Sequence, residues 1–477
     1  MDLIPAPSID LISLAPALVL SVFGMGVLIL DLFIGKDKSI LVFMSLLGLF
    51  LTTVVTFAKG GLPVYSFQGS YVVDHFSIFF IFIFAISSAL AILLSVNYNR
   101  QENIKIGEYY SLILFCTVGM IVLASSTDLI MIFLGIEIVS ICLYILAGIR
   151  RNDSRSNEAA LKYFLLGAFA TGFLLYGMAL LYGATGSTQL MKIALAIKTG
   201  KVVSKPLLLM GAVLLIIGFG FKVASVPFHM WAPDVYQGAP TPITAFMSVG
   251  PKAAVLASFF RVFVHAMPDM AESWILVLSI VAVLSMFVGN LGAIVQTNIK
   301  RLLAYSSVSH IGYILIALIA KNSLGSASLL FYLLAYAFTT FGAFAIVIIL
   351  GRQGDEKLEI DNYSGLAYRH PVLALCMAIF LMSLGGLPPL AGFVGKFYIF
   401  SAAIKEGHVP LVVIAVLNTA VSFYYYLKVI VYMYMREPVG EFHPTLAPLS
   451  LLVVAIAVFG TIQLGIFPGP IISLAQQ

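Results

Sequence analysis

Fourteen times over, this chain runs apolar for long enough to cross a lipid bilayer. The runs fall at roughly 9–33, 39–58, 73–97, 109–125, 127–149, 158–184, 206–231, 241–265, 274–295, 302–320, 326–350, 372–404, 410–434 and 447–469. A helix needs about 20 residues to span the hydrocarbon, whereas a membrane β-strand needs only ~10 and alternates in polarity. Lipid offers no partner to a backbone N–H or C=O, so unbroken runs of this length are expected to be helices. Composition agrees: 61% of residues are hydrophobic and 10% charged, with mean hydropathy +1.06, against about 25% charged in soluble domains. The expected fold is an all-α polytopic membrane protein of about 14 transmembrane helices. The even number puts both termini on one side. Asp2 and Asp10, rather than a basic stretch, precede the first run, which continues as a full span and so reads as a retained helix rather than a cleaved signal.

Loop lysines and arginines set the orientation. With the N-terminus outside, the cytoplasmic loops hold thirteen: Lys36, Lys38, Arg100, Lys105, Arg150, Arg151, Arg155, Lys300, Arg301, Arg352, Lys357, Arg369 and Arg436. The opposite loops hold seven, Lys59, Lys192, Lys198, Lys201, Lys205, Lys321 and Lys405, four of them clustered between 184 and 205. Both termini are therefore expected on the periplasmic side. A net charge of +5 is ordinary for such loops, and no basic patch interleaved with aromatics suggests a nucleic-acid partner. Cys116, Cys142 and Cys376 lie far apart and the seven histidines are scattered, so no metal or haem site is expected in this chain.

Shifted by 169 residues, the chain matches itself. Residues 139–171 against 308–340 share 12 of 33 positions without a gap, including Ser140/Ser309, Tyr163/Tyr332 and Thr171/Thr340. The fifth and sixth runs thus correspond to the tenth and eleventh. Five helices is an odd displacement, so the second copy is expected upside down, as in many secondary transporters. The division that follows is an N-terminal three-helix segment (1–105), a first five-helix repeat (106–266), an inverted second repeat (267–436) and a last helix (437–477). The seventh run contains ASVPFHMWAP and the twelfth SLGGLPPLAGFVG. Proline removes a donor and clashes with the preceding turn, so helices 7 and 12 are expected to be broken at corresponding places.

Five ionisable residues sit inside these runs: Glu137, Lys162, Lys222, Lys252 and Lys396. A charge at the bilayer centre costs about 2.5–3.5 kcal/mol on insertion scales and marks ion or proton pathways. Burial disfavours a charged lysine and a nearby carboxylate favours it. A lysine held between the two can load and release a proton when its partner charge moves. Glu137, the mid-helix carboxylate, is the natural modulator of one such lysine, and Lys222 is the expected one by analogy with proton relays. Lys162 lies nearer a loop and reads as an auxiliary. His229 follows the first break and His310 lies in LLAYSSVSHIGY, where either could extend a proton wire. Arg261 and Lys428 read as structural charges, and Asp31, Asp128 and Asp234 as interface or capping residues near helix ends.

The runs KVASVPFHMWAPDVYQGAPTPITAFMSVGPKAAV, IKRLLAYSSVSHIGYIL and GLPPLAGFVGKFYIF, with Glu137 in FLGIEIVSICLYIL, resemble the antiporter-like subunits of respiratory complex I. The resemblance covers about residues 105–435 and extends to Mrp cation/proton antiporters and membrane-bound hydrogenases. Within the family, the chain length and Lys396 resemble the N-type subunits rather than L or M. The resemblance implies a Glu137–Lys222 pair in one half-channel, Lys252 as the central connection, Lys396 on the exit side, and matching positions for Lys162 and His229. It also implies a proton-translocating role in an NADH:quinone oxidoreductase of the bacterial inner membrane. The FMN, iron–sulfur clusters and quinone would then sit in other subunits, with an M-type subunit and small helical subunits as neighbours. The alternatives are an Mrp-type Na⁺/H⁺ antiporter subunit or a hydrogenase subunit, which neighbouring flavin and iron–sulfur genes would distinguish.

Overall fold

A computed structural model describes the whole chain except residues 1–9, 36, 59–62, 352, 353, 355, 439–443 and 477. Asp2, Lys36, Lys59 and Arg352 lie outside the described residues. In chain order the helices are α1 (Leu11–Asp31), α2 (Ser39–Phe57), α3 (His75–Gln101), α4 (Glu108–Ser125), α5 (Leu129–Ala147), α6 (Ser154–Thr185), α7 (Leu190–Lys198), α8 (Lys205–Val223), α9 (Trp231–Gly238) and α10 (Thr241–Phe260). They continue as α11 (Ala271–Ile294), α12 (Ile299–Ala320), α13 (Ser323–Leu350), α14 (Leu366–Arg369), α15 (Pro371–Gly385), α16 (Ala391–Lys405), α17 (Val409–Met435), α18 (Pro448–Ile466) and α19 (Gly469–Gln476). A short hairpin of β1 (Val64–Ser66) and β2 (Tyr71–Val73), with Val64 opposite Val73, departs from the all-helical expectation.

Thirteen helical segments among the described residues are long and apolar enough to cross a membrane. The twelfth apolar run is not among them because it is split into α15 and α16, each 15 residues long. The chain is a multi-pass membrane protein. Polar residues placed just before the apolar stretches start many of its helices. Asp74 and Ser77 form a capping box on α3; Asp128, Asp153, Ser204, Asn298 and Asn322 accept from first-turn N–H groups of α5, α6, α8, α12 and α13. Such caps satisfy donors that a helix leaves unpaired, typically for about 1 kcal/mol each.

Both proline-containing stretches do break their helices, and in the same way. At the end of α8, Ser225 donates to the Gly220 carbonyl (2.8 Å) and Ala224, at φ 62°, to Phe221. At the end of α15, Leu387 donates to Met382 (3.0 Å) and Gly386, at φ 94°, to Ser383. This paired pattern closes a helix through one left-handed residue. The chain then turns and resumes as α9 and α16.

Enclosure is uneven. In α10 the whole apolar window is buried, and in α12 and α13 94% of it, whereas α1 and α6 bury 33%. The outer helices present large apolar side chains outward, as lipid contact requires. At the centre, α11 and α12 pack backbone to backbone: a Cβ on Gly289 would lie 2.6 Å from the Ser309 nitrogen, and one on Gly312 2.7 Å from the Ala282 oxygen. Small residues at such crossings let membrane helices approach. They hold α12 fixed in the middle of the protein.

Candidate functional site

The interior of α12 carries Ser306 and Ser307, four and three residues before His310, and Tyr313, three after it, so that all lie towards the His310 side of the helix. Each meets a polar group from a different helix. Lys252, on α10 just after Gly250 and Pro251, donates to Ser307 Oγ at 2.5 Å, with its Nζ 5.5 Å from the Tyr236 ring centre. His310 Nδ1 meets the Tyr332 hydroxyl of α13 at 2.5 Å, and Nε2 meets Tyr426 of α17 at 3.1 Å. Ser306 also bonds to Tyr426. Lys396, on α16, lies 4.6 Å from the Tyr313 ring centre and donates to the Leu384 and Gly385 carbonyls at 3.2 and 3.0 Å. All three titratable groups are buried. Three of the sequence-predicted residues, Lys252, His310 and Lys396, thus line up along one helix.

Glu137 and Lys222 form a second group. Lys222, in the last turn of α8, donates to Ser140 Oγ at 2.8 Å and to the Tyr144 hydroxyl at 3.4 Å. Ser140 and Tyr144 share a face of α5 with Glu137, at intervals of three, four and seven. Glu137 is half-buried and accepts from Thr171 Oγ1 at 3.0 Å. No ion pair within 4.0 Å joins them among the described residues. Serine and tyrosine hydroxyls stand where a direct pair was expected.

Four aromatic rings separate the two groups. Tyr144 packs on Tyr163 (4.9 Å between centres), Tyr163 stacks on Trp231 (4.4 Å), and Trp231 meets Tyr236 (6.4 Å), whose ring faces Lys252. No side-chain hydrogen bond crosses this wall among the described residues. The buried Tyr236 hydroxyl has no protein partner, nor do those of Ser309, Tyr313 and Thr340.

Lys162 stands apart from both groups. Its ammonium pairs with Glu158 (2.7 Å) and Asp234 (2.8 Å), its side chain is 41% exposed, and Asp234 also binds Arg301 (2.7 Å). Asp234, read from sequence as an interface or capping residue, is the shared anion of this surface network. His229 is half-buried with its Nδ1 unpaired, 6.4 Å from the Tyr305 ring, and it joins neither group. Arg261 caps the Ala124 carbonyl and pairs with Asp74, and Lys428 donates to the Gln296 carbonyl, both structural uses of charge.

Sequence reading passed over Glu356, a loop residue with no motif around it. Its carboxylate accepts from Arg150 (2.6 Å), Tyr98 (2.8 Å), Thr241 (2.9 Å) and Lys300 (3.3 Å). Lys300, 0% exposed, also donates to the Ala239 carbonyl at 2.7 Å. Burial alone would raise the Glu356 carboxyl, but Lys300 and Arg150 hold it down at about 2. Only the unusual burial of Lys300 could have signalled it, and burial is not visible in a sequence.

A family model described as NADH:quinone oxidoreductase/Mrp antiporter, TM, matches residues 126–422. The chain belongs to this family. All seven residues expected from the sequence fall inside the matched stretch, whereas α1–α4 fall before it. Family relatives include the NADH-quinone oxidoreductase subunit N of Trichlorobacter lovleyi, 48% identical over 98% of this chain and 97% of that one. Its counterpart in Chloroflexus aggregans is 43% identical over 100% and 99%. Among solved structures, a chain of respiratory complex I from Thermus thermophilus matches with TM-score 0.84 at 36% identity, covering 97% of this chain and 99% of that one. A chain of the Mrp complex from Dietzia sp. DQ12-45-1b reaches TM-score 0.85 at 21% identity, over 98% and 97%, and shares the fold. Among the described residues no group of three or more His, Cys, Asp or Glu could hold a metal ion.

Proposed function

We propose that this chain is the N-type, proton-translocating membrane subunit of a bacterial NADH:quinone oxidoreductase. Electrons pass from NADH to quinone through FMN and iron–sulfur clusters in other subunits, and this chain moves protons across the inner membrane. An M-type subunit and small helical subunits are its neighbours, and both termini face the periplasm. Support comes from full-length relatives that carry the subunit N name. The single observation carrying the mechanism is the placing of Lys252, His310 and Lys396 along α12.

The relay works electrostatically. Lys222 is held by two hydroxyls, each able to accept or donate, so its charge depends on Glu137 rather than on a fixed counter-ion. When charge arrives at or leaves Glu137, Lys222 changes its hold on a proton. The proton passes beyond the aromatic wall by way of hydroxyls with unused hydrogen-bonding capacity, such as that of Tyr236, to Lys252. His310 then connects Lys252 to Lys396 through Ser307, Tyr332 and Tyr426. Lys162 and His229 act as auxiliaries at the edges. The inverted five-helix repeats are the scaffold that brings two broken helices to this line.

Glu137→Gln and Lys222→Ala in the intact, membrane-reconstituted complex test the reading. Proton uptake per NADH and quinone reduction should both fall, with assembly intact on native gels. Full retention of both activities would overturn the relay.

A further inference from the structure

The proton relay makes no use of the N-terminal bundle, yet a cavity of about 440 Å³ opens there between α2, α3 and the loop before α4. That volume is within the ~300–1,000 Å³ typical of ligand pockets. It lies at the membrane face that also bears Arg150, Lys300 and Arg301, since α3 ends where α6 and α12 begin.

One wall of the cavity is cationic. Arg100, in the last turn of α3, and Lys105 both reach it, and neither has an ion-pair partner among the described residues. Lys38 lines it as well but is paired with Asp31. Asp37 is the one lining carboxylate, and it is engaged by the Ser39 hydroxyl and N–H at 2.6 and 3.0 Å. With Lys38 neutralised by Asp31, Arg100 and Lys105 against the Asp37 carboxylate leave the lining net positive. At its base sits Asn99, only 5% exposed, whose buried amide faces the Tyr110 hydroxyl as its one side-chain partner. That leaves hydrogen-bonding capacity of the amide unused in a buried place. A ligand oxygen can take up its N–H₂ group.

The other wall is apolar, with Val42, Val96, Ile104 and Ile106. Phe43, beside Val42, is 63% exposed, and Phe50 two turns along α2 equally so. Cations and an amide donor on one side, with aliphatic surface on the other, match a molecule that is anionic at its head and hydrocarbon in its body. Basic recesses between helices at the inner face of a membrane suit phosphate headgroups.

We propose that this recess binds the phosphodiester headgroup of an anionic glycerophospholipid, with Arg100 and Lys105 on the phosphate and Asn99 donating to a headgroup oxygen. The chemistry recognised is phosphate. The apolar wall selects lipid over the free ion.

The test uses the intact complex in vesicles containing a photoactivatable phosphatidylglycerol with its reactive group near the head. Labelled peptides are read by mass spectrometry. The expected result is label on residues 37–42 and 96–110. Arg100→Gln and Lys105→Gln should each cut it roughly fivefold, and the double variant about 25-fold, from ~1 kcal/mol per cation. Asn99→Asp, nearly isosteric but anionic, should also abolish labelling while NADH oxidation stays unchanged, which separates loss of the site from loss of the fold. Equal labelling of the double variant and the wild type would overturn the site. Competition by excess inorganic phosphate, or equal labelling from a photoactivatable phosphatidylcholine, would overturn the anionic-lipid assignment.

Discussion

The two broken helices end with the same backbone hydrogen bonds and use their lysines in opposite ways. At the first break, Lys222 precedes the turn and reaches sideways to Ser140 and Tyr144, while the Phe221 carbonyl is taken by the neutral Trp231 indole at 3.0 Å. At the second, Lys396 follows the turn and its ammonium closes back on the Leu384 and Gly385 carbonyls, the negative end of α15. One break therefore holds a cation with hydroxyls that tolerate its losing a proton. The other holds it with carbonyls, which only accept. A shared scaffold carries unequal chemistry because the lysine lies on different sides of the turn.

The sharpest way to break this comparison is to remove each lysine in turn. Lys222→Met should lower proton pumping and quinone reduction by about tenfold or more, since positioned proton donors contribute ~10²–10⁴ where transfer limits the rate. Its effect on thermal stability should be small, because Ser140 and Tyr144 can bond to other partners. Lys396→Met should lower pumping as well, and it should also destabilise the subunit by about 2 kcal/mol through two unpaired buried carbonyls. Equal melting shifts for the two variants would remove the distinction.

A control lies outside both breaks. Glu356→Ala leaves Lys300 and Arg150 without their anion and should destabilise the protein by about 3–5 kcal/mol, while pumping per assembled complex is unchanged. The pH dependence has a definite sign. The folded carboxyl lies at about 2, below an unfolded value of ~4.3. Its stabilisation is therefore fully present above about pH 5 and is lost as the pH falls toward 2. Acid titration of wild type against Glu356→Ala, followed by subunit dissociation, should show the two curves converging only at the acid end.

Smaller effects sharpen the contrast at the turns themselves. A Cβ on Gly386 would sit at φ 94° and 3.2 Å from Lys396 Cδ, so Gly386→Ala should cost ~1–2 kcal/mol and displace the lysine. The equivalent Ala224→Gly, at φ 62°, relieves a left-handed alanine and should stabilise by about 0.5 kcal/mol. Trp231→Phe removes one of the two hydrogen bonds to the Phe221 carbonyl, which the Ala224 N–H still holds, and should cost about 0.5 kcal/mol. Thermal denaturation of each variant within the complex checks all three.

Residues close together in the chain gave up their structure readily. The spans follow from unbroken apolar length, and both breaks from Pro227 and from Pro388 with Pro389, because a missing N–H acts within one helical turn. The buried cations stood out because their neighbours in sequence are apolar. What α12 does was only half legible. His310 and its serines were visible as a polar run, but their partners Tyr332 and Tyr426 lie 22 and 116 residues away.

By itself, the sequence determined where the apolar spans lie, where two of them break, and that Lys222, Lys252 and Lys396 are committed to the interior. These are local consequences of hydrophobic length, backbone donors and the cost of charge in hydrocarbon. The tertiary structure alone decided what each charge touches. It put Ser140 and Tyr144, rather than Glu137, on Lys222, turned Lys162 to the surface with Asp234, and gathered Tyr98, Arg150, Thr241 and Lys300 around Glu356. Those contacts join residues dozens to hundreds of positions apart, and only the packing of helices brings them within hydrogen-bond reach.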